Sequence, residues 1–472
     1  MNSTLRNVLL AVGLMVLVLA AHPMAMTPLE ELGELLYFDQ MLSEPDGQSC
    51  ADCHLPSAFF VDPDSEFPVS QGVLPQNRWG NRNSPMSAYA FLSPDFHYDP
   101  VEGLYVGGQF WDGRAANVEE QAKGPFLNPL EMNNPNKRAV IEDILDGQYA
   151  DFFIEVFGHD AKYIRHNIDE AYDFVANAIG AFERTDMFAP FNSKYDYYLQ
   201  GNDVLTEQEL RGLALFEGKA MCNACHPSEP GEGGEPPLFT DFTYDNLGAP
   251  KNPENPFYTL TPRFNPDGYD WVDYGLGGVL GLPEEMGKHK VMTLRNIAMT
   301  GPYLHNGVFS TLREVVEFYN ARDVMNFPPP EVPMNVNTDE LGDLGLTSDE
   351  IDDLVAFLET LTDGYFPAPG PAGRIAANTP RDFILAANYP NPFNPTTTIE
   401  YTIPSQTQVT IDVFNVLGQK VKTLVNETQP AGTYQTEWNG TDEASQTVAT
   451  GVYFYRLSAG DVTMTKKMVM VK

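Results

Sequence analysis

The sequence predicts a mainly α chain: two helical units in tandem, then a small all-β sandwich of immunoglobulin-like type. Three observations carry this. A capped amphipathic stretch occurs twice, each time leading into the same cysteine-containing pentapeptide. Beyond residue 380 apolar residues alternate with polar ones at period two. The charge changes at the same place: of the net −37, the residues from Thr379 onward hold seven basic and eight acidic groups, leaving −36 ahead of them.

Arg6 precedes an apolar run at 8–21, and small residues follow it. That order marks a secretory signal peptide over 1–25, cut within 20–26, because the run is short for a membrane span. The first helix is expected over 27–38. Thr27 and Glu30 form a capping box, and Leu32, Leu35 and Leu36 share a face. The second copy has Thr206 with Glu209, then Leu210, Leu213, Ala214 and Phe216. This internal duplication divides the chain into units at 27–200 and 201–365. Ile168, Tyr172, Val175, Ile179 and Phe182 keep helical spacing. So do Ile351, Leu354, Val355, Leu358 and Leu361, opened by Thr347 and Glu350. Long stretches rich in Gly, Pro and Asn are expected to be loops. Residues 366–380 are rich in Pro, Ala and Gly and form a linker. In 381–472, Val409, Ile411 and Val413 alternate with polar residues, and Gly451-Val452-Tyr453-Phe454-Tyr455 is β-prone. Asn439-Gly440 and Ala459-Gly460 are turn signals.

The pentapeptides are Cys50-Ala51-Asp52-Cys53-His54 and Cys222-Asn223-Ala224-Cys225-His226. Cys-x-x-Cys-His is the pattern of c-type haem attachment. Two thiols at this spacing meet one edge of the macrocycle, and the adjacent His reaches the iron as proximal ligand. A thioredoxin-like redox pair or half a zinc site shares the cysteine spacing. Neither explains why all four cysteines lie in these motifs and why each motif ends in His. Two covalent haems are therefore expected, held by Cys50, Cys53 and His54 and by Cys222, Cys225 and His226, in cytochrome c-like domains. Export fits them, since such attachment takes place outside the bacterial cytoplasm. The acidic balance argues against nucleic acid and against an anionic membrane surface as partners.

Four further stretches complete the haem portion. They are Arg82-Asn83-Ser84-Pro85, Gln109-Phe110-Trp111-Asp112-Gly113-Arg114, Gln121 with Glu131-Met132, and Leu294-Arg295-Asn296 with Pro302-Tyr303-Leu304-His305-Asn306-Gly307. Through them the chain resembles the bacterial di-haem cytochrome c peroxidases and the related MauG-type enzymes. The resemblance implies hydrogen peroxide as substrate. It gives Glu131 as the acid–base group over the first iron, with Gln121 and Pro125 beside it, and Trp111 as a relay between the haems. It implies a calcium ion at Asn83, Thr300 and Pro302. It places the sixth ligand of the second haem at Tyr319; Met286, Met292 and Met299 compete, and Leu312, Val315, Val316 and Tyr319 also make a plain core face. Electron-transfer members use Met there and MauG-type members Tyr. The first haem of many members is blocked by a His ahead of Arg-Asn-Ser-Pro. Here no His lies between His54 and His97, and the loop offers Gln71 and Asn77 instead, so an open first haem is expected. His97 is the one alternative.

Three functions follow as expectations. One is a peroxidase fed by an external electron donor such as a small cytochrome or copper protein. The second is a MauG-like enzyme that oxidises a residue on a partner protein. The third is a non-catalytic electron carrier. The tail, from Asn388-Tyr389-Pro390-Asn391-Pro392-Phe393-Asn394-Pro395 to Lys466-Lys467-Met468-Val469, resembles the C-terminal sorting domain of the type IX secretion system. That implies passage to the cell surface or medium. The duplicated motif predicts two haems per chain; pyridine haemochrome analysis of the purified protein tests it, and a value of one would refute the duplication.

Overall fold

The computed structural model describes residues 26–365 and 384–471, apart from 65, 75–77, 232–233 and, in the tail, 386–387, 389–390, 392, 404–406, 416–417, 430–431, 445 and 461. The expected leader 1–25, the linker 366–380 and Asn77 lie outside the described residues. Helices fill the first part and β-strands the last. Among the described residues no helix is long and apolar enough to cross a membrane.

Both duplicated helices form with their predicted caps. In the helix Pro28–Tyr37 the Thr27 hydroxyl accepts from the Glu30 N–H, and the Glu30 carboxylate accepts from the Thr27 N–H at 2.6 Å. Thr206 and Glu209 repeat this ahead of the helix Glu207–Glu217, again at 2.6 Å. Each copy crosses a later helix: Pro28–Tyr37 packs on Ile168–Glu183, and Glu207–Glu217 packs on Ser348–Glu359.

A glycine sits at each crossing. A Cβ on Gly33 would lie 2.0 Å from the Ala178 carbonyl oxygen, and one on Gly212 would lie 2.0 Å from that of Asp353. Backbone therefore touches backbone at equivalent points of the two copies. This crossing corrects the expected apolar faces. Leu32, Leu36 and Tyr37 are buried around Gly33, but Leu35 and Leu210 are each 41% exposed. They project past the flanks of the contact, because the buried stripe follows the glycine and not the widest run of leucines.

Among the described residues the apolar interior forms three clusters. One runs from Leu32 to Phe188, one from Tyr195 to Leu361 and one from Leu385 to Met470. The first two are joined by buried polar contacts. Arg82 makes a two-pronged ion pair with Asp273 at 2.5 and 2.6 Å. The Tyr89 hydroxyl donates to Asp363 at 2.8 Å. The Arg295 guanidinium, 1% exposed, lies 5.1 Å over the Tyr89 ring and pairs with Asp196 at 2.8 Å. Leu294-Arg295-Asn296 is thus an architectural stretch: Asn296 also donates to Asp363, at 2.8 Å.

Among the described residues the tail holds two antiparallel sheets around one apolar cluster. Ile384–Leu385, Thr397–Ile403 and Gly432–Trp438 form one. Val462–Met470, Gly451–Ala459, Thr407–Asn415 and Lys420–Gln429 form the other, in that order. Val409, Ile411 and Val413 face inward, as their alternation predicts. Phe393 is buried and exchanges backbone hydrogen bonds with Val469 and Val471, joining the start of the tail to its last strand.

The glycine crossings give a stability prediction. Gly33→Ala and Gly212→Ala should each lower stability by about 1–3 kcal/mol or more, the cost of overpacking against a contact that cannot yield. Thermal melts followed by helical circular dichroism measure it; unchanged melts would mean that the helices do not cross this closely.

Candidate active site

Two cavities open in the helical part, one at each pentapeptide. Cys50, Cys53 and His54 line the first, together with Gln121, Pro125, Glu131 and Trp111. Cys222, Cys225 and His226 line the second, together with Tyr319, Met292, His289, His305 and, again, Trp111. Trp111 thus reaches both.

Each pentapeptide is a short helical turn that leaves its histidine at the turn's end. The His54 N–H bonds to the Cys50 carbonyl and the His226 N–H to the Cys222 carbonyl, each at 2.9 Å. The rings are oriented from behind. His54 Nδ1 lies 3.2 Å from the Phe60 carbonyl, and His226 Nδ1 lies 2.7 Å from that of Phe239. A carbonyl only accepts, so each Nδ1 carries the proton and each Nε2 keeps its lone pair for the cavity. Burial lowers both histidine pKa values, which favours the neutral ring. No disulfide involves the four cysteines. Paired thiols, a neutral imidazole and a largely apolar wall are the donor set that a c-type haem requires, and both cavities supply it.

Glu131 sits in the turn after the helix Val118–Leu127. Its Oε1 accepts from the Asn128 side-chain amide at 2.8 Å, and its backbone carbonyl accepts from the Val73 N–H at 3.0 Å. Burial pushes the Glu131 pKa up, while the Arg114 charge and the Asn128 hydrogen bond pull it back. Arg114 is itself held by Asp112 at 2.8 Å and stacks 3.5 Å over Phe110. Gln71 lines the first cavity, with its carbonyl taken by the Gln48 amide at 2.9 Å. His97 lies on a short exposed strand, lines neither cavity, and bonds to the Asp95 carbonyl at 2.8 Å.

Tyr319 projects from the helix Leu312–Ala321, whose start is fixed by a Thr311–Glu314 capping box. Burial, then the neighbouring Cys225, raises its pKa, and the Arg322 charge opposes this only in part, so the side chain is held as a neutral phenol. Of the competing methionines only Met292 lines the second cavity, and it lines the first as well. The indole N–H of Trp111 donates to the Asn83 carbonyl at 2.8 Å, and its ring meets His305 edge-on at 6.4 Å. The Asn83 side-chain amide reaches the Pro302 carbonyl. The Thr300 hydroxyl bonds instead to the Ile297 carbonyl at 3.5 Å.

Several site residues, Lys290, Asp273, His289 and Asn128, escaped the sequence. Lys290 lines both cavities; burial pushes its pKa down to about 7, and its Nζ donates to Ser93 Oγ at 2.6 Å and to the Gly108 carbonyl. Asp273, His289 and His305 converge, with the two imidazoles stacked at 3.6 Å. Both Asp273 oxygens already face the Arg82 guanidinium, so the place is occupied by a cation of the chain's own. Asn128 carries a faint signal, Asn three residues before Glu, which is the spacing of a side chain closing a turn.

The sequence model of the di-haem cytochrome c peroxidases matches residues 27–204, and that of the secretion system C-terminal sorting domain matches 387–472. The methylamine utilization protein MauG of Paracoccus denitrificans is 40% identical over 354 residues, which cover 71% of this chain and 88% of that protein. The chain belongs to the di-haem cytochrome c peroxidase and MauG family. Membership implies two c-type haems and a peroxide-using oxidoreductase. The cytochrome c551 peroxidase of Nitrosomonas europaea is 32% identical, covering 72% of this chain and 82% of that one. Among solved structures, the di-haem peroxidase BthA of Burkholderia thailandensis superposes with a TM-score of 0.64 at 32% identity, covering 76% of this chain and 92% of that one. The sorting-domain match marks the β-tail of this family member as a secretion signal.

Proposed function

We propose that this enzyme turns over hydrogen peroxide at the first cavity and shares the oxidising equivalents with the second through Trp111. The observation that carries the reading is that Trp111 lines both cavities whereas Glu131 lines only the first. Haem bound through Cys50, Cys53 and His54 and through Cys222, Cys225 and His226 supplies the redox-active irons. The chain's own residues do the rest. Glu131 takes the first proton of peroxide and returns it to the departing oxygen, the work of a single tuned carboxyl group. Gln121 and Pro125 shape the space beside it. The sequence has no histidine between His54 and His97, and His97 does not line the first cavity, so no imidazole of that loop would close a haem held there.

Tyr319, which lines the second cavity with His226, would be the residue that holds the second haem iron opposite that histidine's motif. A phenolate oxygen favours oxidised iron, and a haem iron bound there would supply the cation that ionises this buried phenol. This favours a second reading beside the plain peroxidase with an external electron donor: a MauG-like enzyme that oxidises a residue on a partner protein. The 40% identity to MauG supports it. A bare electron carrier has no use for the buried Glu131 carboxyl. A calcium ion between the haems is part of the proposal. The Asn83 amide and the Pro302 carbonyl meet, and hard oxygens of those kinds suit calcium once the amide oxygen turns inward. Thr300 would add its carbonyl. The two helical clusters are inferred to be cytochrome c-like domains, at 27–200 and 201–365. The tail, 381–472, is inferred to be an immunoglobulin-like sandwich joined by the 366–380 linker. The 1–25 leader takes the chain to the periplasm, and the tail hands it to the type IX machinery for the surface or medium.

Glu131→Gln should slow the peroxide reaction by roughly 10²–10⁴-fold with little change in the haem spectrum. In the parent the reaction should weaken as pH falls through the Glu131 pKa, because only the ionised form accepts a proton. That limb should lie above the ordinary carboxylate range, since burial raises the group. Stopped-flow mixing with peroxide across pH measures both, and wild-type rates in Glu131→Gln would move the acid–base role elsewhere. Tyr319→Phe should turn the second haem high-spin in the resting electron paramagnetic resonance spectrum and leave the first unchanged. An unaltered second haem would make Tyr319 core packing and Met292 the candidate ligand.

A further inference from the structure

Asn128 does more than close a turn. Its Oδ1 accepts from the Leu130 N–H at 3.0 Å, which fixes the amide with its nitrogen on the other side. That nitrogen donates to Glu131 Oε1 at 2.8 Å. The Asn128 backbone carbonyl accepts from the N–H groups of Glu131 at 3.0 Å and Asn133 at 2.9 Å. Arg78 braces the same turn, donating to the Pro129 carbonyl at 2.7 Å and to Asn133 Oδ1 at 2.5 Å. The donor to Glu131 is therefore set by these five other hydrogen bonds and cannot rotate away. Glu131 Oε2 has no hydrogen bond among the described residues and is left for the cavity that Glu131 lines.

We propose that Asn128 is the positioning residue of the peroxide reaction: it holds Oε1 of Glu131 so that Oε2 alone carries the proton to and from substrate. The inference rests on Glu131 being the acid–base group. An N–H donated to a carboxylate stabilises the ionised form, so Asn128 also counteracts the burial that raises Glu131. The charged group facing Glu131 from another element is Arg114. The Cys50 and Cys53 sulfurs, also nearby, carry no charge once they are thioethers.

The test uses the haem-loaded protein and four variants: N128A, N128D, E131Q and N128A/E131Q. N128D keeps the acceptor for Leu130, and so the turn, while removing the donor. Both Asn128 variants should move the acid limb of the peroxide reaction to higher pH. For N128A the shift should be about one to two pH units, the weight of a hydrogen bond to a charged group; N128D should shift further, because a second carboxylate faces the first. The protonated carboxyl band of Glu131 in the infrared, identified by its loss in E131Q, should titrate with the same shift in resting protein. In the E131Q background N128A should cause no further slowing, since the residue acts only through Glu131. An unmoved limb in both Asn128 variants, or equal slowing by N128A in the two backgrounds, overturns the inference and leaves the Glu131 reading standing. A wild-type rate in E131Q overturns both.

Discussion

The catalytic portion depends on one largely enclosed cation. Arg82 reaches Asp112 on its own side of the molecule and Asp273 on the other. Two carboxylates hold its charge firmly, and Asp273 is driven well below the usual carboxylate range. Removing either partner would strand charge in a low-dielectric site, so the arrangement has no relaxed alternative. Arg82 and Asp112 are neighbours in sequence of Asn83 and Trp111, and the indole N–H bonds to the Asn83 carbonyl. The Arg-Asn and Trp-Asp pairs are thus locked side by side. Asn83 is in turn tied to the other half through the His305 and Pro302 carbonyls. This is what holds an indole where the two cavities meet.

Around that junction each half solves the same packing problem in the same way. A capped helix ends shortly before the pentapeptide and crosses a later helix through a glycine. Removing the side chain at the crossing lets two backbones touch, which fixes the helix relative to the loop carrying the thiols. A carbonyl from a residue beyond the motif then sets the tautomer of the histidine. The halves differ in what lines the cavity with that histidine: Glu131 in the first, Tyr319 in the second. The two halves thus share a packing solution while lining their cavities with different side chains.

Much of this was legible in the sequence because it rests on local rules. The pentapeptides, the Thr-x-x-Glu caps and the period-two alternation at Val409, Ile411 and Val413 each depend on residues a few positions apart. Where neighbours from elsewhere decide, local reading failed. Leu35 and Leu210 look like core residues by spacing, yet the glycine crossing turns them outward. The helices Lys137–Asp146 and Lys194–Leu199 were not among the expected elements, although Val140, Ile141, Ile144 and Leu145 of the first keep helical spacing and are buried.

The sequence by itself determined the two attachment motifs, the helical and β-rich parts and, through its four motif stretches, the family. Only the tertiary structure decided which side chains share a cavity. That Met292 reaches both cavities while Met286 and Met299 line neither is a matter of loop path, not spacing. That Trp111 touches both sites follows from an ion pair between residues 191 positions apart. That Glu131 is held by Asn128 follows from the direction of one amide. Motifs record the chemistry a residue can perform; the folded backbone determines what that residue faces, and partner and pKa are set there.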